Sequence, residues 1–316
     1  MAPIIAHVGY HKTASSWLLH EFYNEPATGF QALDKKSRKA PVHRIIRDPP
    51  LQFDAASVRA AFDPLFAKAE AAGLVPVVCY ARLSGHAFSG GYDSKLIADR
   101  VREVFPEARI VIVIRDQRRI IVSTYKQYVN AGGICTLEHF LEPTTENRRI
   151  PPFSYSFYEY DHLIAYYQSL YGRESVLVLP YERFPAEPRA FVSAIAAFAG
   201  LTLSDEVLDN LPFEHRSTAA RPALWTDVMR SFNRFGPRSD LNPEPLFESS
   251  PLAALRKHLR HKHTILTSPR LDALAARREE QLKARVSELV GDRYAASNRR
   301  TAELTGLDLA AHGWTL

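Results

Sequence analysis

Cysteine is scarce in this sequence, with only Cys79 and Cys135 among 316 residues. Two cysteines cannot build a disulfide framework, and such a chain is typical of a reducing compartment. The N-terminus lacks the basic stretch and apolar core of a cleaved signal peptide. No apolar run approaches the roughly 18 residues of a membrane-spanning helix. We therefore expect a cytoplasmic protein with no transmembrane segment.

Several catalytic motifs are missing as well. The sequence has neither a Gly-x-Ser-x-Gly turn nor a zinc motif with two histidines, which disfavours hydrolases. The basic run Arg256–His263 has no interleaved aromatic residues, and the cations between its histidines oppose metal binding. We interpret this run as a solvated surface, and expect no nucleic-acid partner and no bound metal. The formal net charge of +5 favours an anionic ligand weakly.

Apolar segments alternate with helical patterns in the first two thirds of the chain. The apolar, largely β-branched segments predict strands, and a continuous run is typical of a strand buried on both faces. The predicted strands are Ile4–Val8, Val75–Tyr80, Ile110–Ile114 and Val176–Leu179. Strands that alternate with helices form a parallel sheet with helices on both faces, so the sequence predicts an α/β fold.

The last third of the chain has a different pattern. Strand signals stop after Leu201, and we predict that residues 202–316 are mainly helical, with helices near Ala223–Phe235 and Ser268–Ala296. Residues 236–251 begin with glycine and several prolines, which indicate a loop: either a lid or a surface connection. With 46% hydrophobic residues the chain can bury a large core, and we expect a single domain over residues 1–316.

The segment after the first predicted strand suits an anionic ligand. It breaks at Gly9 and enters a helix whose first amides carry partial positive charge, and Lys12 adds an ammonium group. The nucleotide-triphosphate loop would need glycine where Ala6 and His11 stand, so that motif is absent. Hydroxyl donors follow at Thr13, Ser15 and Ser16.

Two further polar positions follow predicted strands. Arg115 comes directly after Ile110–Ile114, at the strand end where open α/β sheets bind ligands. Ser123 lies roughly two helical turns further on. Tyr181 follows the strand at 176–179 in the same way. Taken alone, Arg115 would be better explained by an ordinary ion pair at a strand end, so its assignment to a ligand site depends on the other motifs.

Together these motifs resemble those of sulfotransferases that use 3′-phosphoadenosine-5′-phosphosulfate (PAPS). Gly9-x-x-Lys12-Thr13 with the hydroxyl residues after it resembles the loop that binds the 5′-phosphosulfate. Arg115 and Ser123 match the arrangement that binds the 3′-phosphate, and Tyr181 would lie beside the adenine. The resemblance implies the sulfotransferase variant of the P-loop-NTPase-like fold, in soluble bacterial form. The residues it assigns to donor binding are His11, Lys12, Thr13, Ala14, Ser15, Ser16, Trp17, Arg115, Ser123 and Tyr181.

The activity implied by the resemblance is transfer of a sulfuryl group from PAPS to an acceptor hydroxyl or amine, which leaves adenosine 3′,5′-bisphosphate (PAP). Lys12 would stabilise charge on the departing phosphate. The acceptor would be a small molecule, a glycan or a lipid, and the sequence does not indicate the oligomeric state. Two alternatives stay open: a nucleotide-dependent kinase of related fold, and a protein that binds an adenine nucleotide without chemistry.

The base that takes the acceptor proton is the position where the resemblance is weakest. Related sequences tend to place glutamate before Arg-Leu-Ser-Gly, but here Ala81 stands in that place. His86 is the nearest titratable residue, and an imidazole suits proton abstraction near neutral pH. We therefore predict His86 as a catalytic residue. The segment from Asp34 to Asp48, which includes His43, is the alternative source of the base.

Overall fold

A computed structural model of the chain describes residues 3–32, 35–142, 150–215, 222–243, 245–246 and 269–316, without the side chains of residues 35–39 and 269–271. Some of the predictions fall on other residues. Asp34 and the basic run Arg256–His263 lie outside the described residues, as do positions 244 and 247–251 of the predicted lid.

Five parallel strands form one sheet, in the order β2-β3-β1-β4-β5. In the central strand, Ala6 pairs with Val78 on one side and Ile110 on the other. The predicted α/β fold is therefore confirmed, and β2 is a strand that the sequence prediction missed. The strands are β1 (Ile5–His7), β2 (Phe30–Ala32), β3 (Val75–Cys79), β4 (Arg109–Ile114) and β5 (Val176–Pro180).

Helices connect the strands and make up most of the rest of the described chain. They are α1 (Ser15–Trp17, continued by a π-helical turn Leu18–Phe22), α2 (Lys35–Arg47), α3 (Ala55–Ala71), α4 (Ser94–Val104), α5 (Gln117–Ala131), α6 (Leu137–Leu141), α7 (Tyr160–Tyr171), α8 (Arg183–Ala186), α9 (Pro188–Phe198), α10 (Asp205–Asn210), α11 (Ala223–Asn233), α12 (Pro269–Val290) and α13 (Ala295–Thr305). None of the described helices is both long and apolar enough to cross a membrane.

The sheet is covered on both faces, as its apolar strands predict. Successive side chains of a strand point to opposite faces. Val111 and Val113 of β4 pack in the same apolar cluster as Phe191 and Ile195 of α9. Ile112 points to the opposite face and is also fully buried, and α7 packs against β4 and β5. A strand buried on both faces needs the continuous apolar run that β4 has.

The chain divides into two compact units. The first consists of residues 1–116, 156–218 and 294–316 and holds the whole sheet; the second consists of residues 117–155 and 219–293. That the chain is a single domain stays a prediction. The mainly helical C-terminal part is present as α11, α12 and α13, and the long predicted helix near Ser268–Ala296 is interrupted after Val290, where Gly291 has a φ of 54°.

The second unit contains the described part of the predicted lid. The Asn233 amide donates to the carbonyls of Val129 and Gly133 at 2.7 and 2.8 Å, which anchors the end of α11 on α5. Beyond it, Ser239 and Asn242 exchange backbone hydrogen bonds of 3.0 and 2.9 Å. The described residues of this loop thus form a hydrogen-bonded turn, and their role as a lid stays a prediction.

Candidate active site

The loop that follows β1 has an unusual backbone. Lys12 has a φ of 69° and Ala14 a φ of 61°, and they are the only non-glycine residues of the described ranges with positive φ. The left-handed region costs a residue with a Cβ about 1–2 kcal/mol. Such strain persists only where the surroundings fix it, and it is concentrated at functional sites. Successive amides in alternating backbone conformations of this kind can form a concave anion site.

Two hydrogen bonds hold the strained loop in place. The hydroxyl of Thr13, which is fully buried, donates to the Tyr10 carbonyl at 2.5 Å, and the Leu18 amide donates to the Ala14 carbonyl at 3.0 Å. The sequence analysis counted the Thr13 hydroxyl as a donor for a ligand. In this structure the hydroxyl proton is used to close the loop, and donation from Thr13 to a ligand stays a prediction.

The Trp17 side chain anchors α1, the helical turn that follows the loop. Its indole Nε1 donates to the Pro212 carbonyl at 3.1 Å, and its ring stacks on Phe213 with centroids 5.4 Å apart. Phe184 packs against its ring at a centroid distance of 4.8 Å. Because the ring is buried in these contacts, the Trp17 side chain has a structural role, and any donor contact would come from its backbone.

Gly9 is required by close packing. A Cβ at this position would lie 2.6 Å from Nε2 of His7, which is a clash. His7 is fully buried, and its Nδ1 lies 3.1 Å from the Tyr23 hydroxyl. Burial lowers the pKa of His7 to about 4, so the ring under the loop is neutral near pH 7.

Arg115 and Tyr181 meet at the carboxyl edge of the sheet, beside this loop. Nη1 of Arg115 donates to the carbonyl of Lys12 at 3.0 Å, and its guanidinium carbon lies 4.5 Å from the centroid of the Tyr181 ring. The Tyr160 hydroxyl donates to the Arg115 carbonyl at 2.7 Å. The structure therefore brings together the loop and two of the predicted donor-binding residues from other strands. Ser123 lies on α5 in the second unit, and its pairing with Arg115 stays a prediction.

A cavity of about 480 Å³ adjoins the loop. One wall comes from the loop and the helical turn, the second from α2, and the third from the end of β3 and the segment after it. This size lies within the range of small-molecule sites. The lining residues are His11, Ser15, Ser16, Leu19, His20, His43, Ile46, Arg47, Cys79, Tyr80, Ala81, Arg82 and His86.

Two histidines of the cavity are held in the neutral form. Burial lowers the pKa of His11 to about 4, helped by the nearby His86, Arg82 and Lys12. The pKa of His86 is lowered by burial and then by Arg82, with a smaller opposing effect of Asp93 and a further lowering by Arg47. Nδ1 of His11 is buried and has no hydrogen-bond partner among the residues that the structure describes. Buried polar atoms in native proteins nearly always have a partner, so this nitrogen is an exception.

The predicted base, His86, is fixed by its neighbours. Its Nδ1 accepts from the Phe88 amide at 3.2 Å, so the neutral ring carries its proton on Nε2. Asp93 accepts from the His86 amide at 3.0 Å and from Nη1 of Arg82 at 2.7 Å. His86 does line the cavity, but it can take a proton at Nδ1 only when the bond to Phe88 opens. Its catalytic role stays a prediction.

The alternative segment contributes one candidate to the cavity. His43 lies on α2, lines the cavity, and has Nε2 3.2 Å from the Tyr80 hydroxyl. Asp48 does not line it, and its carboxylate instead accepts from Nε of Arg44 at 3.1 Å. Among the described residues from 35 to 48, His43 is therefore the remaining candidate base.

Arg47 and Arg82 are charged residues of the cavity that were not predicted as site residues from the sequence. For Arg47 a partial signal exists. It lies four residues after His43 on α2, and residues at this spacing share one face of a helix. The spacing could have linked the two residues in advance, once a helix was assigned there. No signal in the sequence could have shown that this face meets the end of β3.

Solved structures that match this chain include two sulfotransferases. A crystal structure of a sulfotransferase from Alicyclobacillus acidocaldarius has 20% sequence identity and a TM-score of 0.49, with 72% of this chain and 90% of that chain covered. Mouse sulfotransferase SULT7A1 complexed with PAP has 14% identity and a TM-score of 0.38, with 91% and 85% covered. No curated protein sequence matches the chain.

The family comparison covers more of the chain than any single motif. The model of the sulfotransferase family matches residues 26–205, which is more than half of the chain. The match includes β2 to β5, with Arg115 and Tyr181, and begins after the loop that contains Lys12. This chain belongs to the sulfotransferase family.

Proposed function

We propose that this protein transfers a sulfuryl group from PAPS to an acceptor hydroxyl or amine in the cavity. The observation that supports this proposal is the hydrogen bond from Arg115 to the carbonyl of Lys12. It joins a strand-end guanidinium to a loop that carries an ammonium group. A nucleotide with phosphates at both its 3′ and 5′ positions has the matching pair of anionic groups.

In this proposal Lys12 acts on the departing phosphate. PAPS supplies the reacting bond: the acceptor oxygen or nitrogen bonds to sulfur while the bond from sulfur to the 5′-phosphate oxygen breaks, and that oxygen leaves in PAP with the electron pair. Negative charge grows on the departing oxygen. A cation and backbone amides that are already fixed in position stabilise this charge without reorganisation. The left-handed backbone at Lys12 and Ala14 supports such a fixed arrangement.

Arg115 and Tyr181 hold the nucleotide end of the donor. A guanidinium can bind a phosphate with two parallel hydrogen bonds, and it keeps its charge at every physiological pH. The Tyr181 ring under the guanidinium restricts its movement. We assign the 3′-phosphate to Arg115 and the adenine to the neighbourhood of Tyr181, and the role of Ser123 stays a prediction from the sequence.

The acceptor proton passes to a histidine of the cavity. His86 is the first candidate and His43 the second, because both line the cavity and both rings can accept a proton. Nδ1 of His86 can take the acceptor proton only if its hydrogen bond to the Phe88 amide opens when the acceptor binds. The proposal requires no metal ion.

Ligand-induced stabilisation tests the donor. PAP and ADP carry the same number of phosphates in different positions, so ADP is a matched control. We expect PAP to raise the melting temperature of the protein more than ADP or ATP with Mg²⁺ does, because stabilisation grows with affinity. Arg115→Ala should reduce the effect of PAP towards that of ADP. A larger effect of ATP with Mg²⁺ would favour the kinase, and no effect of any nucleotide would contradict all three hypotheses.

A transfer assay then separates an enzyme from a binding protein. The measurement is the release of PAP from PAPS in the presence of a mixed set of hydroxyl and amine compounds. PAP release that depends on both the acceptor and Lys12 supports sulfuryl transfer. Tight PAP binding without acceptor-dependent release would favour the non-catalytic alternative.

A further inference from the structure

The charge of the cavity wall points to the kind of acceptor. Two arginines and four histidines line the cavity, and no carboxylate of the described residues does. A neutral acceptor would need no such wall. Two guanidinium groups beside a cavity of this size are the usual means of binding a carboxylate, phosphate or sulfate group.

The two arginines differ in how their charge is balanced. Arg82 forms an ion pair with Asp93 at 2.7 Å, and the Asp93 carboxylate is nearly buried. Arg47 is exposed, and no carboxylate among the described residues lies within ion-pair distance of it. Among the described residues, the cavity-lining guanidinium without a neighbouring carboxylate is therefore that of Arg47. Burial is the main cause of the lowered pKa of His86, and the smaller contributions of Arg82 and Arg47, which Asp93 partly opposes, have the sign that a positive wall would give.

Arg47 also stands apart from the donor site. The residues assigned to the donor follow β1, β4 and β5, whereas Arg47 is the last residue of α2 and faces the cavity from a different wall. The loop wall holds the reacting end of the donor in the proposed function. An anion on Arg47 would therefore belong to the second substrate.

We infer that the acceptor carries an anionic group, and that Arg47 binds this group while the acceptor hydroxyl or amine reaches the loop wall. This inference rests on the proposed function. It makes Arg47 a specificity-determining residue, and Asp93 a positioning residue that fixes Arg82 and His86 beside it. The ligand class is a small hydroxyl or amine compound with a carboxylate, phosphate or sulfate group.

Matched pairs of compounds test the inference on protein saturated with PAP, so that the donor site is filled. The pairs are para-hydroxybenzoate with its methyl ester, glucuronate with glucose, and glucose 6-phosphate with glucose. We expect additional thermal stabilisation by at least one anionic member and none by its neutral partner. With PAPS in place of PAP, the anionic member of that pair should be sulfated with a kcat/KM at least tenfold higher than its partner.

Two variants of α2 provide the control. Arg47→Gln should abolish the preference for the anionic member and leave the stabilisation by PAP unchanged. Arg44→Gln removes the same charge from the same helix, but Arg44 does not line the cavity and pairs with Asp48, so this variant should keep the preference.

The outcomes separate this inference from the proposed function. Stabilisation by PAP without any anion preference, an equal effect of both variants, or no response to any of the compounds would overturn the anionic acceptor and leave the donor assignment intact. A loss of PAP stabilisation in Arg47→Gln would also overturn it, because Arg47 would then bind the donor. Failure of PAP to stabilise the wild-type protein would contradict the proposed function itself.

Discussion

At the scale of the residue, the left-handed backbone at Lys12 and Ala14 makes it possible to ask whether the lysine is present for its side chain or for the shape of the loop. Glycine adopts positive φ freely, whereas lysine and alanine do so at a cost. The chain keeps a lysine at a position where glycine would be the less strained choice. We attribute the lysine to its ammonium group, which is the one property that glycine could not provide there.

Replacement by glycine tests this attribution. Lys12→Gly and Ala14→Gly should both leave the free energy of unfolding within about 1 kcal/mol of wild type, because relief of strain offsets the greater flexibility of the unfolded chain. Only Lys12→Gly should lower kcat, by roughly a hundredfold or more, as expected for a transition-state interaction. Urea unfolding and acceptor-dependent PAP release are the measurements. Equal loss of turnover in the two variants would mean that the loop, and not the ammonium group, is what matters.

His86 combines a structural and a proposed chemical role, and one substitution distinguishes them. Its Nδ1 accepts the Phe88 amide at the start of a short 3₁₀ turn. In His86→Asn the side-chain oxygen can accept that same bond but cannot take up a proton. We expect the melting temperature to stay within a few degrees of wild type and kcat to fall roughly a hundredfold. Turnover within a few-fold of wild type would transfer the role to His43, to be checked with His43→Asn.

At the scale of the element, the strands were the most predictable part of the molecule. β4 is a six-residue apolar run buried on both faces, and its pattern leaves little choice of structure. β2 has only three residues, Phe30–Ala32, and its apolar-polar-apolar alternation is too short to predict a strand. Its place in the sheet depends on pairing with β3, a tertiary contact that the local sequence does not encode.

The helix that builds one cavity wall was less predictable. The sequence of α2 is rich in lysine and arginine and contains Pro41, a residue that usually ends or kinks a helix. Val42, Ile45 and Ile46 are nevertheless buried, and packing against the rest of the first unit outweighs the weak local preference. The sequence motifs could therefore predict the loop and the strand ends of the site, but not the cavity wall that α2 provides.

The segment between β3 and α4 depends on a glycine. Gly91 has a φ of 65°, and a Cβ there would lie 1.9 Å from an atom of the Phe157 ring. Gly73 has a similar φ of 68° but open space around it. We expect Gly73→Ala to destabilise the protein by about 1 kcal/mol, through backbone strain alone. Gly91→Ala should cost about 2–4 kcal/mol, since overpacking is added to the strain.

Urea unfolding of the two glycine variants measures this difference. Arg82 and His86 lie in the same segment as Gly91, so Gly91→Ala should also weaken turnover, whereas Gly73→Ala should not. Equal destabilisation of the two variants would show that the segment moves away from Phe157 at little cost, and that Gly91 does not fix its conformation.

At the scale of the whole molecule, the buried imidazoles set the response of stability to acid. His7 is fully buried with a pKa of about 4, below the ordinary value of 6.5 that it regains on unfolding. Between these two pH values the unfolded chain binds more protons than the folded one. Stability is therefore fully present above pH 6.5 and declines as the pH falls towards 4.

Removal of the His7 imidazole should make the free energy of unfolding less dependent on pH. The pKa shift of His7 corresponds to about 3 kcal/mol of stability lost between neutral pH and about pH 4. In His7→Asn the oxygen can keep the contact with the Tyr23 hydroxyl, and the difference in unfolding free energy between pH 7 and about pH 4.5 should shrink by about 2–3 kcal/mol. His11 adds a residual dependence of the same sign. Substitution of the exposed His20 by asparagine is the control and should leave the pH dependence of stability unchanged. An unchanged pH dependence in His7→Asn would contradict the view that His7 makes the protein sensitive to acid.

The bond between Arg115 and the Lys12 carbonyl has a consequence for the choice between donors. Under the proposed function, adenosine 5′-phosphosulfate differs from PAPS only by the absent phosphate on Arg115. Arg115 also supports the loop that would face the departing 5′-phosphate. Binding of the 3′-phosphate to Arg115 can therefore help to hold that loop in the conformation that lowers the barrier to transfer. The shorter donor should therefore react with a lowered kcat as well as a raised KM. The enzyme would thus distinguish the two activated sulfates by reactivity, even where both saturate it.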